Sequence, residues 1–117
     1  MESYTSDRSL PLRRNWFHIL LALSRGAAHG YAVMKEVQAH SGGGVRLWPA
    51  TLYGALRDMA DGGLIEEVPA SQSTATDARE RRSYRITAAG SKALNAEAKR
   101  LAALVSLVRD SDPAGTV

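Results

Sequence analysis

Between Leu12 and Arg25 the apolar residues Trp16, Ile19, Leu20 and Leu23 fall at i, i+3, i+4 and i+7, the spacing that lines one face of an α-helix. Phe17 and Leu21 widen that face, so the helix is expected to be covered on two sides, and Gly26 ends it. The next segment, HGYAVMKEVQAHSGGG, puts Tyr31, Met34, Val37 and Gln38 on one face with Val33 beside it, and Gly42–Gly44 stops it sharply. The residues VRL read as a short extended piece, held out of helix by Pro49, which opens a third helix over Pro49–Asp61. There Leu52, Leu56 and Met59 point inward, and Gly62-Gly63 closes the helix. The period then changes to two: LIEEV and RSYRI, the latter with Tyr84 and Ile86 alternating, read as two strands around the polar stretch PASQSTATDARE. Thr87 is expected to cap a last helix running from Ala88 to about Arg109.

Three helices, a hairpin and a helix make the order of a winged helix-turn-helix: mainly α, with a two-stranded β-wing, followed by a C-terminal dimerisation helix. The expected division is a flexible arm at 1–11, a DNA-binding domain at 12–87, the dimerisation helix at 88–110 and a loose tail at 111–117. In this architecture the third helix enters the major groove, and the hairpin loop reaches the neighbouring phosphates. Charge agrees with that placement. The net charge of the 117-residue chain is +3, and Arg79, Arg81, Arg82 and Arg85 lie within seven residues, opposed there only by Glu80. Such a cluster at the second shoulder of the wing suits a polyanion, although a solvated arginine-rich loop is the plainer reading of the cluster alone.

Composition narrows the rest. With no cysteine, neither a disulfide framework nor a thiolate metal site can form. The longest apolar-dominated run, Trp16–Leu23, is interrupted by His18 and is far short of a membrane span, and no signal peptide is evident. A cytoplasmic protein is expected, and the excess of arginine over lysine with abundant alanine fits a bacterial genome rich in GC.

The third helix carries an odd outer face: Ala50, Gly54, Arg57, Asp58 and Asp61, with no acid in its first half. Recognition helices contact bases with their N-terminal residues. Small residues at Ala50 and Gly54 would let the helix lie deep, with Thr51 and Tyr53 as flanking hydroxyl donors and Arg57 one turn on, in reach of a phosphate or a guanine edge. Asp58 and Asp61 sit at the end that tilts away. The alternative is that Gly54 admits a neighbouring helix and Tyr53 is packed.

Catalytic and metal constellations fail. His29 and His40 are eleven residues apart, roughly 16 Å along one helix, too far to share an ion, and His29 is expected to cap or pack at the start of the second helix. Glu66 and Glu67 are adjacent on a strand and face opposite ways, there is no nucleophile elbow, and SGGGV lacks the continuation of a phosphate-binding loop. No enzyme activity, cofactor or metal is expected. In the last helix Leu94, Ala98, Leu101, Val105 and Val108 follow the 4-3-4-3 spacing of a coiled-coil seam, with Leu104 and Leu107 beside it. The alternative is that this face packs back on the first helix of its own chain.

The stretches ILLALSRGAAHGYAVMKEV, PATLYGALRDMADGGLIEE and RRSYRITAAGSKAL, in that order over roughly residues 17–95, resemble the PadR family of bacterial transcriptional regulators. HGY followed by TLYxALxxMxxxGLI is more specific than a generic winged helix. The family usually has Pro-Gly-Thr-Leu-Tyr where this chain has Pro49-Ala50-Thr51-Leu52-Tyr53, and a proline or larger residue at Gly54. The resemblance implies a homodimer that binds double-stranded operator DNA and represses promoters, with release by a small aromatic or hydrophobic effector in some members. It also implies that the first and last helices of both subunits interleave, which adds Trp16 to the dimerisation set. A single helix beyond the wing resembles the small subclass, so an effector would sit at the dimer interface or between core and last helix. Trp16 is the aromatic candidate there, with Phe17 and Trp48 weaker. The expected function is a repressor that holds a palindromic operator through helix 49–61 and wing 69–82. The alternative is a winged-helix protein–protein interaction module, or an antagonist of another regulator, which the acids Asp58, Asp61, Glu66 and Glu67 keep open.

Overall fold

The computed structural model describes residues 12–68 and 82–111. Its elements are α1 (Arg14–Leu23), β1 (Ala28–His29), α2 (Gly30–His40), α3 (Pro49–Asp61), β2 (Ile65–Val68), β3 (Ser83–Ile86) and α4 (Ala88–Ser111). This is a winged helix-turn-helix with one long helix after the wing. The arm at 1–11, the wing loop with Arg79 and Arg81, and residues 112–117 lie outside the described residues.

One core unites the elements. Ile19, Leu20 and Leu23 of α1, Val33 and Val37 of α2, Leu52, Leu56 and Met59 of α3, and Ile65 of β2 are essentially fully buried. Each such side chain stabilises the fold by about 1.5–3 kcal/mol relative to exposure. The apolar period is therefore what sets how the three helices meet. In α2 the buried positions are Gly30, Val33 and Val37. Tyr31 is exposed and Gln38 only half-buried, so the inward face lies one position round from the expected one. The tight packing of Gly30 on α3 turns it that way.

The sheet has three strands in the order β1-β3-β2, where a two-stranded wing was expected. The added strand is two residues long, Ala28 pairing with Tyr84 and His29 with Ser83. No sequence period can show in so short a piece. α1 is also shorter than expected at both ends, and α4 runs on to Ser111.

Three contacts fix α4 to the domain. Thr87 Oγ1 accepts the Gly90 N–H at 3.0 Å and donates to the Gly63 carbonyl at 2.6 Å, capping α4 and tying it to the α3–β2 turn, where Gly63 has φ +80°. Gly90 rests on the Leu64 carbonyl. Two turns further on, buried Glu97 takes the Leu12 backbone N–H, and within α4 itself it is held by a bidentate Arg100 at 2.8 Å. The Arg100 hydrogen bonds hold its carboxyl below the usual range against the opposing effect of burial, with the Leu12 backbone N–H adding to them.

Candidate nucleic-acid interface

The exposed ridge of α3 stands between two hollows. Pro49 at its first position supplies a φ ready for helix, and Leu52, Leu56 and Met59 bury the inner face, which turns Ala50, Gly54 and Arg57 outward. On one side, a hollow of about 410 Å³ toward the wing is lined by Ala50, Tyr53, Gly54, Arg57, Arg82 and Tyr84, among others. On the other, a hollow of about 400 Å³ toward the start of α1 is lined by Arg13, Trp16, Ala50, Thr51, Gly54 and Asp58, among others. Ala50 and Gly54 border both.

Gly54 and Tyr53 bear on the two readings of this face in different ways. A Cβ built on Gly54 meets no atom within 4 Å, so the glycine does not admit a neighbouring helix. It costs the helix about 1 kcal/mol relative to alanine and serves no packing within the described residues. Gly30 is the opposite case: a Cβ there would meet the Tyr53 ring at 2.8 Å. Tyr53 is therefore seated on the start of α2, part-buried, with its edge in the wing-side hollow. It bridges the two helices of the helix-turn-helix as well as lining the wing-side hollow. His29 caps α2, its Nδ1 accepting the Ala32 N–H at 3.3 Å.

The wing base is less positive than its arginines imply. Register sets Glu66 opposite Arg85, and the Arg85 Nε donates to Glu66 Oε2 at 2.6 Å. Glu67 lies 3.6 Å from Arg82. The two described members of the cluster thus face acids that β2 contributes from 19 and 15 residues away in sequence. Arg79 and Arg81 lie outside the described residues. Tyr84, buried beneath the wing, has its hydroxyl pushed up by desolvation and then by the nearby Glu67 carboxylate.

The two aromatic effector candidates do not meet. Trp16 lines the hollow beside α3, with the Arg13 guanidinium 5.0 Å over its ring. Phe17 lines a separate hollow of about 350 Å³ between α1 and α4, with Leu12, Arg14, His18, Glu97, Arg100 and Leu101. Trp48 is 67% exposed and borders neither.

A histidine pair escaped the sequence reading. His18 Nδ1 lies 2.9 Å from His40 Nε2, across α1 and α2 and 22 residues apart. The ring centroids are 5.1 Å apart with the planes within 18°, close to the largest separation such a contact permits. The rings therefore lie end to end and nearly coplanar, the geometry of an N–H···N hydrogen bond rather than of two lone pairs converging on an ion. Burial lowers the His18 pKa, and His40 and Arg14 lower it further.

The proposed seam on α4 divides in two. Leu94 and Leu101 are part-buried, Leu94 against the domain's own core, so the first half packs back on its own chain. Ala98 is exposed, and past Leu101 the helix leaves the domain with Leu104, Val105, Leu107 and Val108 exposed by 46, 50, 61 and 71%.

The sequence model of the transcriptional regulator PadR-like family matches residues 19–96, well over half of the chain, and the chain belongs to that family. Its fold is similar to that of a transcriptional regulator from Clostridium thermocellum, at 21% identity and TM-score 0.65, covering 83% of this chain and 88% of that one. It is similar also to RosR of H. salinarum, at 22% identity and TM-score 0.62, covering 91% and 98%. Identities this low bear on the fold alone. A search of curated protein sequences found no match. No helix among the described residues is long and apolar enough to cross a membrane.

Proposed function

We propose that this PadR-like regulator is a repressor that binds a palindromic operator as a homodimer, laying α3 in the major groove and the wing along the adjacent backbone. Gly54 carries the reading: a helix-weakening residue kept on an exposed face with open space before it is what close approach to base edges requires. Ala50 lies one turn before it, Thr51 supplies a hydroxyl, and Arg57 reaches a phosphate or guanine. Asp58 and Asp61 occupy the end that tilts out of the groove.

The partner of the exposed half of α4 is the same half of a second copy, since Leu104, Val105, Leu107 and Val108 give it an apolar surface of matching register. A small hydrophobic or aromatic effector would enter the Phe17 hollow between α1 and α4, where binding could shift the last helix and with it the spacing of the two α3 helices. The test is a mobility shift on the DNA upstream of the protein's own coding sequence, with shuffled competitor and a salt series. A sequence-selective shift that weakens steeply with salt supports the proposal. A folded dimer that binds no DNA at low salt, with or without candidate effectors, refutes it.

A further inference from the structure

A helix seated in the major groove has a phosphate strand on each flank, since the groove is about 12 Å wide and a helix with its side chains is about 10–12 Å across. The wing serves one flank. We propose that Arg13, at the start of α1, grips the phosphate strand on the other flank of α3. This rests on the groove-binding reading of α3 given above.

The observations converge on that residue. The hollow on the side of α3 away from the wing is walled by Arg13, Arg14 and Asn15 on α1 and by Ala50, Thr51 and Gly54 on α3. Since Ala50 and Gly54 also border the wing-side hollow, the two hollows flank one ridge, as the two backbones flank one groove. Arg13 is exposed, and its guanidinium is held over the Trp16 ring at 5.0 Å. Part of the conformational freedom a long side chain loses on gripping a phosphate is thereby already lost.

Charge pairing points the same way. Among the described residues, Arg25, Arg82, Arg85 and Arg100 each lie within ion-pair distance of a glutamate. Arg13 and Arg14 have no such partner among those residues. Arg14 also lines the hollow with Phe17 and His18 on the far side of α1, which leaves Arg13 as the cation committed to α3. The acid of the hollow is Asp58, two turns along α3 from Thr51, so a phosphate is held at the Arg13–Thr51 end. The Thr51 hydroxyl supplies a second donor there.

The experiment compares wild type, Arg13→Gln and Arg13→Lys on operator and random DNA across a salt series, with phosphate-ethylation interference on both strands. Expected for Arg13→Gln is equal weakening on both DNAs, a log K against log salt slope smaller by about one, and loss of interference at a phosphate on the flank away from the wing. Arg13→Lys restores the slope, which a loss of α1 structure would not allow. Wild-type affinity, slope and interference in Arg13→Gln would overturn the proposal while leaving the α3 reading intact. Wild-type protein that binds no DNA would overturn both.

Discussion

Gly90 has no room for a side chain: a Cβ on it would run into the Leu64 carbonyl oxygen and lie 2.9 Å from Ile86. The Leu64 carbonyl is backbone, fixed by hydrogen bonds from Thr87, and Ile86 ends β3, so Gly90→Ala is expected to destabilise the fold by about 3 kcal/mol, read as a lower urea midpoint. At the His18–His40 contact, protonation removes the acceptor and sets positive charge end to end across the two rings. Arg14 stands beside them on α1, and Glu97 and Arg100 stand across the hollow on α4. Because the folded pKa of His18 is lowered, its contribution to stability is complete above the unfolded value of about 6.5 and is lost as pH falls below it toward the folded value. The melting temperature should be level above neutrality and decline toward pH 5.5. His40→Gln, which keeps a donor but removes the second charge, should flatten that decline. A decline unchanged in His40→Gln would place its source elsewhere.

At the scale of elements, the wing's acids would govern, in the proposed complex, how much of its positive charge reaches DNA. Glu67 faces Arg82 at 3.6 Å with both side chains more than half exposed, so the pair contributes under about 1 kcal/mol to folding. Glu67→Gln should leave stability unchanged, raise DNA affinity and steepen the salt dependence, as titrations at several salt concentrations would show. The helices were legible because burial imposes a 3.6-residue period, and Leu52, Leu56 and Met59 stand at that spacing in the chain as in the core. The ion pairs were not, because strand register, not sequence proximity, brings Glu66 to Arg85 and Glu67 to Arg82. β1 is too short to have a period. For Tyr53 the sequence left a flanking hydroxyl donor and a packed ring both open, and only the packing of α2 on α3 shows its ring seated on Gly30. The histidine pair needed the crossing of α1 and α2 and was out of reach for the same reason.

For the whole molecule, the 24 residues of α4 span about 36 Å, and nothing among the described residues covers its outer half. Val105→Glu with Val108→Glu should leave the monomer folded, since both side chains are already at least half exposed. The pair should dissociate the proposed dimer in sedimentation and sharply weaken binding to a two-half-site operator. The heptad spacing of α4 stood in the sequence with packing on its own chain as the alternative, whereas the point at which the helix leaves the domain did not: it depends on how Gly90 and Glu97 dock its first half. The central claim is that the small-residue ridge of α3 lies against the bases, and Gly54→Leu tests it most directly. The new side chain meets open space in the free protein, so thermal stability should hold or rise by about 0.5–1 kcal/mol, while operator affinity should fall by about tenfold or more. A stable Gly54→Leu protein that binds operator as tightly as wild type would contradict the account.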